Sequence, residues 1–200
     1  MMNNAHILKV DSLNYRIGEK HILRDIYLSA KTGDILSIRG RNGAGKSTLL
    51  NILFGTIKAD YIYISIDDKV VTNRQQLNKY ICYKPQFNFF PKHLKVKDVL
   101  MAKEIKDIPL HNYLNIKIDE LSTGEQQLIQ TLYVLNLPQP ICLLDEPFSG
   151  ISPILQEFIT NTIKEKSKSK IIILTDHHTD LINAIATQIV ELDNGYFKRI

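Results

Sequence analysis

A glycine-rich loop between an apolar strand and an apolar helix constrains this chain more than any other feature. Residues 40–47 read GRNGAGKS and fit the pattern G-x-x-x-x-G-K-[ST]. The apolar run 35–38 before the loop predicts a buried strand, and residues 48–53 after it predict a helix. Such a turn points backbone N–H groups at an anion, and the helix start adds partial positive charge. The sequence therefore predicts a nucleotide phosphate site, with Lys46 reaching the β- and γ-phosphates and Ser47 as a ligand of Mg²⁺.

Composition and charge agree with one globular domain. With 200 residues, 44% of them hydrophobic and 23% charged, the chain is long enough to bury a full core. The formal net charge of +4 favours phosphate ligands slightly and does not indicate a nucleic-acid binder. The sequence shows neither a leader pattern nor an apolar run of membrane-spanning length, so we expect a protein that does not cross a bilayer by itself. Cys82 and Cys142 lie in apolar runs, which predicts buried thiols.

Strand and helix patterns alternate along the chain. The predicted elements are short antiparallel strands over 7–10, 13–17 and 21–28, strands over 61–66 and 80–83, a short helix over 74–79, mostly helix over 94–137 with interruptions near Pro109 and before Ser122, and a last strand over 196–199 after a hairpin turn at 193–195. Two continuous apolar runs, 141–144 and 171–174, suit central parallel strands covered on both faces. The alternating lysines from Lys164 to Lys170 are interpreted as the solvated end of a helix and its exit loop.

Two adjacent carboxylates end the apolar run 141–144. Asp145 is placed at the strand tip to hold Mg²⁺, directly or through water. Glu146 is then placed to orient and polarise an attacking water. Two acids at the end of a buried strand are costly unless charged ligands meet them, which favours a nucleotide site over a solvated turn.

The segment LSTGEQQ, residues 121–127, lies between the loop and these acids. Ser122 is a good N-cap, and Glu125, three residues later, completes a capping box. As plain structure this pattern predicts only a helix start. As chemistry, Ser122, the backbone of Gly124 and the helix N-terminus make a second anion site.

In this order, the phosphate loop, Gln86, the segment LSTGE, the segment LLDEP and His177 resemble the nucleotide-binding domain of the ATP-binding cassette (ABC) family. The resemblance covers about residues 8–199, and LSTGE is its specific part because other phosphate-loop ATPases lack it. It implies an α/β fold: a phosphate-loop NTPase core with a mainly parallel sheet, an N-terminal antiparallel β subdomain and a short helical subdomain. It also implies a single domain over residues 1–200, with the helical subdomain at about 87–137 inserted in the core.

The resemblance also implies roles for individual residues. Gln86 would contact Mg²⁺ and the attacking water, Glu146 would be the catalytic acid, and His177 would contact the γ-phosphate. Tyr15 falls where the family places an aromatic residue that stacks on adenine. The implied site residues are Glu146, His177 and Gln86 for catalysis; Tyr15, Asn42, Gly43, Ala44, Gly45, Lys46, Ser47, Thr48, Ser122 and Gly124 for nucleotide binding; and Ser47, Gln86 and Asp145 for the metal.

Three of these assignments have a plainer alternative. Tyr15 is also compatible with an ordinary strand tyrosine. A slip of one residue would put His178 in the place of His177, although the preceding apolar strand and the order Thr-Asp-His favour His177. Gln86 is also compatible with a surface polar residue, although its place after a β-rich run favours the catalytic role.

The sequence departs from the family pattern at several positions. Thr123 stands where the family usually has glycine, and Glu125 where it often has glutamine. Ser152 replaces an aspartate that normally helps to couple two ATP sites. The stretch between Gln86 and Leu121 is shorter than usual, which implies a trimmed helical subdomain.

The resemblance implies an Mg-dependent ATPase that binds ATP and Mg²⁺. Two copies, or this chain and a close paralogue, would enclose two ATP molecules head to tail, with Lys46 of one chain opposite Ser122 of the other. The dimer would drive transport through separate transmembrane permease subunits, from the cytoplasmic side of the cell membrane and without direct contact to nucleic acid.

Two other functions were weighed against transport. A soluble ABC-type ATPase of translation or DNA repair usually carries tandem cassettes, long coiled coils or zinc-binding inserts. This chain has one phosphate loop, no heptad run and only two cysteines, which favours transport. A regulatory nucleotide-binding module is disfavoured by Glu146 and His177.

An aromatic cluster follows Gln86. Phe87, Phe89 and Phe90 occupy three of four positions, so they cannot all point inward from one face, and we expect at least one to be exposed. In the family this region receives a short coupling helix from the membrane subunit. An aromatic wall with Lys84 and Lys92 nearby suits an amphipathic helix laid in a groove.

Overall fold

A computed structural model describes residues 5–100 and 113–199 of the chain. The described part contains two β-sheets with helices packed against them. The strands are β1 (Ile7–Ile17), β2 (Lys20–Lys31), β3 (Ile35–Arg39), β4 (Tyr61–Ile66), β5 (Lys69–Val70), β6 (Ile81–Lys84), β7 (Ile141–Asp145), β8 (Ile171–Thr175), β9 (Gln188–Asp193) and β10 (Tyr196–Arg199). The α-helices are α1 (Lys46–Phe54), α2 (Val96–Val99), α3 (Thr123–Asn136), α4 (Pro153–Ser167) and α5 (Thr179–Ile185), with 3₁₀ turns at Arg74–Lys79 and Ile118–Glu120.

A six-stranded sheet forms the centre of the fold, in the order β10-β9-β3-β8-β7-β6. The strands from β9 to β6 are parallel, and only β10 pairs antiparallel, with β9. The prediction of central parallel strands over the two apolar runs is confirmed, because β7 and β8 are buried along their whole length. Since β3, β8, β7 and β6 are parallel neighbours, the loops that follow them meet at one edge of the sheet.

Alternate side chains of the central strands feed two separate cores. Cys142 and Leu144 of β7 pack with α3, α4 and α5 on one face of the sheet. Ile141 and Leu143 point to the other face and pack with α1 and the antiparallel sheet. A strand covered on both faces has no polar side, which explains the continuous apolar runs in the sequence. Cys82 and Cys142 are free and buried, as predicted.

The N-terminal region is a four-stranded antiparallel sheet in the order β2-β1-β4-β5, as predicted. β1 is one strand and not two, because its register with β2 shifts several times between Val10 and Arg16 and so absorbs the break in the pattern. Ser12, in this irregular part, has φ of 52°. The predicted hairpin between β9 and β10 turns at Asn194 and Gly195, both with positive φ.

Among the described residues, the prediction of mostly helix over 94–137 holds for α2 and α3 and fails at residues 94–95 and 114–117. Leu94 accepts a backbone hydrogen bond from Ile118, and Val96 donates one to Ile116, so residues 94–96 pair with a second extended segment. These backbone bonds replace the helical ones that the apolar pattern predicts. The interruption before Ser122 is confirmed, whereas the one near Pro109 lies outside the described residues.

The interpretation of the lysine series as a solvated helix end is wrong at Lys170. This side chain is buried, and its Nζ donates to the carbonyl oxygens of Leu137 and Gln139, just beyond the end of α3. A cation at the C-terminal end of a helix is favoured by the carbonyl groups exposed there. Over residues 5–100 and 113–199, none of the helices combines the length and the apolar character needed to cross a membrane.

Candidate nucleotide-binding site

The phosphate loop joins β3 to α1, as the sequence predicts. Gly45 precedes the helix with φ of 106°, and Gly40 has φ of 147°, so both adopt backbone conformations that side chains rarely allow. A Cβ at Gly40 would also lie 2.4 Å from the carbonyl oxygen of Leu192 on β9. Glycine is therefore required here by backbone geometry and by the close approach of a neighbouring strand.

Lys46 begins α1 and folds back over the loop. Its Nζ donates to the carbonyl oxygens of Gly40 at 2.7 Å and Arg41 at 3.0 Å. Burial lowers the pKa of Lys46, and the charges of Glu146 and Asp145 oppose this shift. Because its direct acceptors are neutral carbonyls, a phosphate at the loop would meet an ammonium group with unused charge.

Asp145 ends β7 and is almost completely buried. Its Oδ1 accepts from the Thr175 hydroxyl at 2.6 Å and its Oδ2 from the Tyr83 hydroxyl at 3.2 Å. Burial and the Asp145 charge raise the pKa of Tyr83, so this hydroxyl stays protonated and donates. Within the described residues no Lys, Arg or His nitrogen forms an ion pair with the carboxylate. A buried carboxylate held only by hydroxyl groups fits a site for an added cation.

The oxygen donors near the loop suit Mg²⁺. The Ser47 hydroxyl is exposed at the start of α1, Gln86 supplies an amide oxygen, and Asp145 supplies a carboxylate. Hard oxygen donors are those that Mg²⁺ prefers, commonly with one or two carboxylates, substrate phosphates and water. The described residues contain no group of three or more His, Cys, Asp or Glu that would hold a metal alone. The donor set therefore fits an ion held together with phosphate oxygens.

Glu146 lies between two other predicted catalytic residues. Gln86 Nε2 donates to Glu146 Oε2 at 2.9 Å, and His177 Nε2 lies 3.4 Å from Glu146 Oε1. Glu146 has φ of 49°, a strained conformation for a non-glycine residue, and its backbone N–H is held by the Thr175 carbonyl at 2.9 Å. His178 instead occupies the N-cap position of α5, with its ring 6.5 Å from that of Phe148. The structure thus brings His177, and not His178, to the carboxylate.

A cleft of about 450 Å³ opens over the loop at the carboxyl ends of β3, β8, β7 and β6. It collects most of the residues that the sequence indicated. Its lining is Ile17, Ile22, Asn42, Gly43, Gly45, Lys46, Ser47, Thr48, Gln86, Glu146 and His177. Tyr15 and Ala44 do not line the cleft but pack, half-buried, against the core beneath the antiparallel sheet. Ser122 and Gly124 also lie outside the cleft.

Ile17 and Ile22 are site residues that the sequence reasoning missed. They flank the β1–β2 turn, which leans over the phosphate loop so closely that a Cβ at Gly45 would lie 3.0 Å from Ile22 Cγ2. Ile17 is 60% exposed although it is apolar. The sequence feature that could have identified Ile17 is its position beside Gly18 at the tip of a hairpin, where a polar residue is usual.

The predicted capping box at the start of α3 is confirmed. The backbone N–H of Ser122 and its hydroxyl donate to Glu125 Oε2 at 2.8 Å and 2.6 Å, and the Glu125 N–H donates to Ser122 Oγ at 3.3 Å. Burial opposes ionisation of Glu125, but the hydrogen bonds from Ser122 and Tyr113 outweigh it and lower the pKa of Glu125. The site residue Gly124 packs so tightly that a Cβ would lie 2.4 Å from the Gly150 carbonyl oxygen.

Two buried charged residues behind the cleft were also missed. Lys84, expected at an exposed groove, has no solvent exposure, and its Nζ donates to the Asp145 carbonyl oxygen at 3.1 Å. Burial lowers the pKa of Lys84 to about 8, against the charges of Asp145, Asp176 and Glu146, which raise it. Asp176 accepts from the backbone N–H groups of Phe148 and His178, both at 2.9 Å. It therefore ties the loop after Glu146 to the loop that carries His177.

This fold and this cleft define a phosphate-loop nucleoside triphosphatase. A family model described as ABC transporter matches residues 23–149, so the chain belongs to the ABC transporter family. An ABC transporter ATP-binding protein of Methanocaldococcus jannaschii is 31% identical over 195 residues, which cover 94% of this chain and 74% of that protein. The thiamine import ATP-binding protein ThiQ of Vibrio cholerae is 27% identical over 212 residues, covering 96% of this chain and 88% of that protein.

Solved structures agree on the fold. An ATP-binding subunit of an ABC transporter has a TM-score of 0.84 at 21% identity, covering 96% of this chain and 88% of that chain. A bacterial Atm1-family ABC exporter with ATP bound also has a TM-score of 0.84, at 20% identity, covering all of this chain and 39% of that chain. The predicted α/β fold class is confirmed. The predicted function is confirmed as well: the chain is an ATP-hydrolysing subunit of an ABC transporter.

Proposed function

We propose that Glu146 is the general base for ATP hydrolysis in the cleft. Its carboxylate takes a proton from a water that attacks the γ-phosphorus, and ADP and phosphate are the products. Gln86 orients this water and His177 contacts the γ-phosphate, while Lys46 and the loop N–H groups hold the triphosphate. The observation that carries the proposal is that Gln86 and His177 both contact Glu146 in the cleft that Lys46 lines.

We further propose that Ser47, Asp145 and Gln86 hold Mg²⁺ with the nucleotide. When bound, this ion would supply positive charge to the phosphate oxygens as negative charge develops on them. The chain's own part is to keep the oxygens in place: Thr175 and Tyr83 fix the Asp145 carboxylate. In this proposal the whole chain, residues 1–200, is one ABC ATPase domain, and residues of about 87–137 form its helical subdomain.

The position of Ser122 and Gly124 supports a dimer in this proposal. Ser122 and Gly124 lie at a helix N-terminus outside the cleft, so within one chain they do not share its phosphate site. We propose that two copies, or this chain and a close paralogue, pair head to tail so that α3 of each chain completes the site of the other. ATP then holds the two chains together because each half-site satisfies part of the triphosphate charge. Hydrolysis removes this bridge, and the dimer opens.

The test of this proposal combines two substitutions. Glu146→Gln removes the base and keeps the shape, so we expect hydrolysis to fall by about two orders of magnitude or more while ATP still binds. Light scattering should show that this variant forms dimers with ATP. Adding Ser122→Arg should abolish those dimers without weakening ATP binding to the single chain. Normal turnover of Glu146→Gln would overturn the catalytic role of Glu146. If the double variant lost ATP binding to the single chain as well as dimer formation, the placement of Ser122 against the partner's ATP would be overturned.

We propose that the dimer acts at the inner face of the cell membrane, through transmembrane permease subunits that are separate chains. The expectation of an exposed aromatic after Gln86 is confirmed at Phe87, which is 70% exposed. Phe89 and Phe90 are half-buried, with ring centroids 4.6 Å apart, and their rings lie tilted or edge-on to that of Tyr133 at 6.2 Å and 5.2 Å. Phe87 is outside this packed cluster, and its exposed side chain is available to an apolar helix of the permease.

A further inference from the structure

A lysine is buried behind the cleft, where hydrolysis as proposed does not use it. Lys84 ends β6, has no solvent exposure and does not line the cleft. Its Nζ donates to the carbonyl oxygen of Asp145 at the end of the neighbouring strand. Burying an ammonium group is costly unless nearby negative charge offsets the loss of hydration.

The negative charge near Lys84 is concentrated at the ends of β7 and β8. Asp145 and Asp176 are both buried there, and Glu146 stands beside them with a side chain only 18% exposed. Three carboxylates at one edge of a sheet repel one another in a low-dielectric region. Lys46 faces this group from the cleft side, and Lys84 faces it from the protein interior.

We propose that Lys84 is a positioning residue that neutralises this carboxylate group from behind and thereby sets how tightly the site holds a divalent cation. Without Mg²⁺, the lysine charge offsets the repulsion between the neighbouring carboxylates of Asp145, Glu146 and Asp176. With Mg²⁺, the same charge repels the ion and keeps its binding weak enough to be released with the products. The second part rests on the proposed metal site at Asp145.

The test measures thermal unfolding midpoints with saturating ADP, first in EDTA and then over a Mg²⁺ titration, because the oxygen donors of this site fit an ion held together with phosphate oxygens. Lys84→Met should unfold at a lower temperature than the wild type in EDTA. Its midpoint should rise with Mg²⁺ at about a tenfold lower concentration, because a repelling unit charge has been removed. Lys84→Gln keeps a donor for the Asp145 carbonyl without the charge, and it should follow Lys84→Met. It also serves if the methionine variant does not fold.

Lys170→Met is the matched control. This buried lysine also donates to backbone carbonyls, but it precedes β8 and so lies at the opposite edge of the sheet from the carboxylate group. Its loss should therefore lower stability without changing the Mg²⁺ concentration of half-effect. Equal half-effect concentrations in wild type and both Lys84 variants would overturn the role in setting cation affinity.

A double-mutant cycle in EDTA tests the neutralisation by itself. Adding Asp176→Asn to Lys84→Gln removes one charge of each sign, so the double variant should be more stable than the sum of the two single losses predicts. Strict additivity would overturn the neutralisation. If the wild type shows no response to Mg²⁺ at all, the proposed metal site fails, whereas the cycle still decides on the charge balance.

Discussion

A single residue at the tip of the first hairpin determines which surface this site offers to a base. Ile17 lines the cleft and is largely exposed, whereas Tyr15 packs against the core under the antiparallel sheet. An aliphatic side chain buries apolar area against a purine but lacks the aromatic face on which bases stack. We therefore expect the triphosphate, more than the base, to dominate nucleotide affinity.

Ile17→Tyr should tighten ATP binding. Stacking of a base on an aromatic ring is worth about 1–3 kcal/mol, so the Kd should fall about fivefold or more. Isothermal titration calorimetry would measure this, and inorganic tripolyphosphate, which has no base, should show no gain. Ile17→Leu is the control, with ATP affinity close to that of the wild type. An unchanged Kd for ATP in the tyrosine variant would show that the base does not reach the hairpin.

The position of a residue could be predicted from a local motif, and it could not be predicted where it depends on strand register. Lys46 and Glu146 follow from short motifs after apolar strands, and the structure brings both to the cleft. Tyr15 was expected there, but the register shifts of β1 end at that residue and place Ile17 at the turn. Lys84 looks like an ordinary strand residue, because burial among carboxylates arises from strands far apart in sequence.

Among the elements, α3 makes a close backbone contact beside the cleft. The first turn of this helix touches the loop after Glu146, because Gly124 lies directly against the carbonyl of Gly150. The same helix holds the Gln86 loop, since Gln127 Nε2 donates to the Gln86 carbonyl oxygen at 3.1 Å. α3 therefore sets the position of both loops that flank the cleft.

Gly124→Ala should destabilise the protein through this contact. The added Cβ would lie 2.4 Å from the Gly150 carbonyl oxygen and 3.3 Å from Ile151 Cα, which are both backbone atoms that cannot rotate away. Overpacking of this kind costs about 1–3 kcal/mol. Urea unfolding would measure the loss. The exposed neighbour Thr123 offers the control, since Thr123→Ala should change stability by less than about 0.5 kcal/mol; equal stability of the two variants would contradict the prediction.

Whether an element could be predicted from the sequence depended on which segment its backbone hydrogen-bonds to in the fold. β7 and β8 were recognisable because strands covered on both faces leave uninterrupted apolar runs. Leu94 and Lys95 also lie in an apolar pattern, yet their backbone pairs with residues 117–118, and the helix α2 begins only at Val96. A pattern of apolar residues reports burial, and it does not report the hydrogen-bond partner.

At the scale of the whole molecule, one short chain segment links the cleft to the exposed aromatic side chain. Gln86 contacts the Glu146 carboxylate, and Phe87, the next residue, is exposed. A movement of this loop on ATP binding would therefore displace a helix docked on Phe87. Sequence predicted the exposure of one aromatic residue and did not specify which, since that depends on how Phe89 and Phe90 pack on Tyr133.

Phe87→Ala should separate hydrolysis from transport. Because the side chain is exposed, its loss should leave the stability and basal ATPase of the isolated chain near normal, while ATP-driven transport by the complex with its permease in proteoliposomes falls severalfold. Phe89→Ala is the contrasting variant: it should lower stability by about 1–3 kcal/mol because it opens the aromatic cluster. Transport at the wild-type rate by the Phe87 variant would contradict a docking role for this side chain.

The strand order of the six-stranded sheet also indicates which site residues follow strands whose backbone hydrogen bonds open easily. Among the described strands, β8 has a hydrogen-bonded neighbour on each side, whereas β6 lies at an edge and is bonded to β7 alone. Amide hydrogens on an edge strand exchange through small local openings, and those at the centre exchange only in larger ones. Gln86 follows the edge strand β6, and His177 follows the interior strand β8, so we expect the Gln86 loop to open more often. A local opening at β6 would separate Gln86 from Glu146 while the phosphate loop, which follows the interior strand β3, keeps its structure. A residue at the edge of the sheet can therefore respond to the bound nucleotide without disturbing the loop that binds the phosphates.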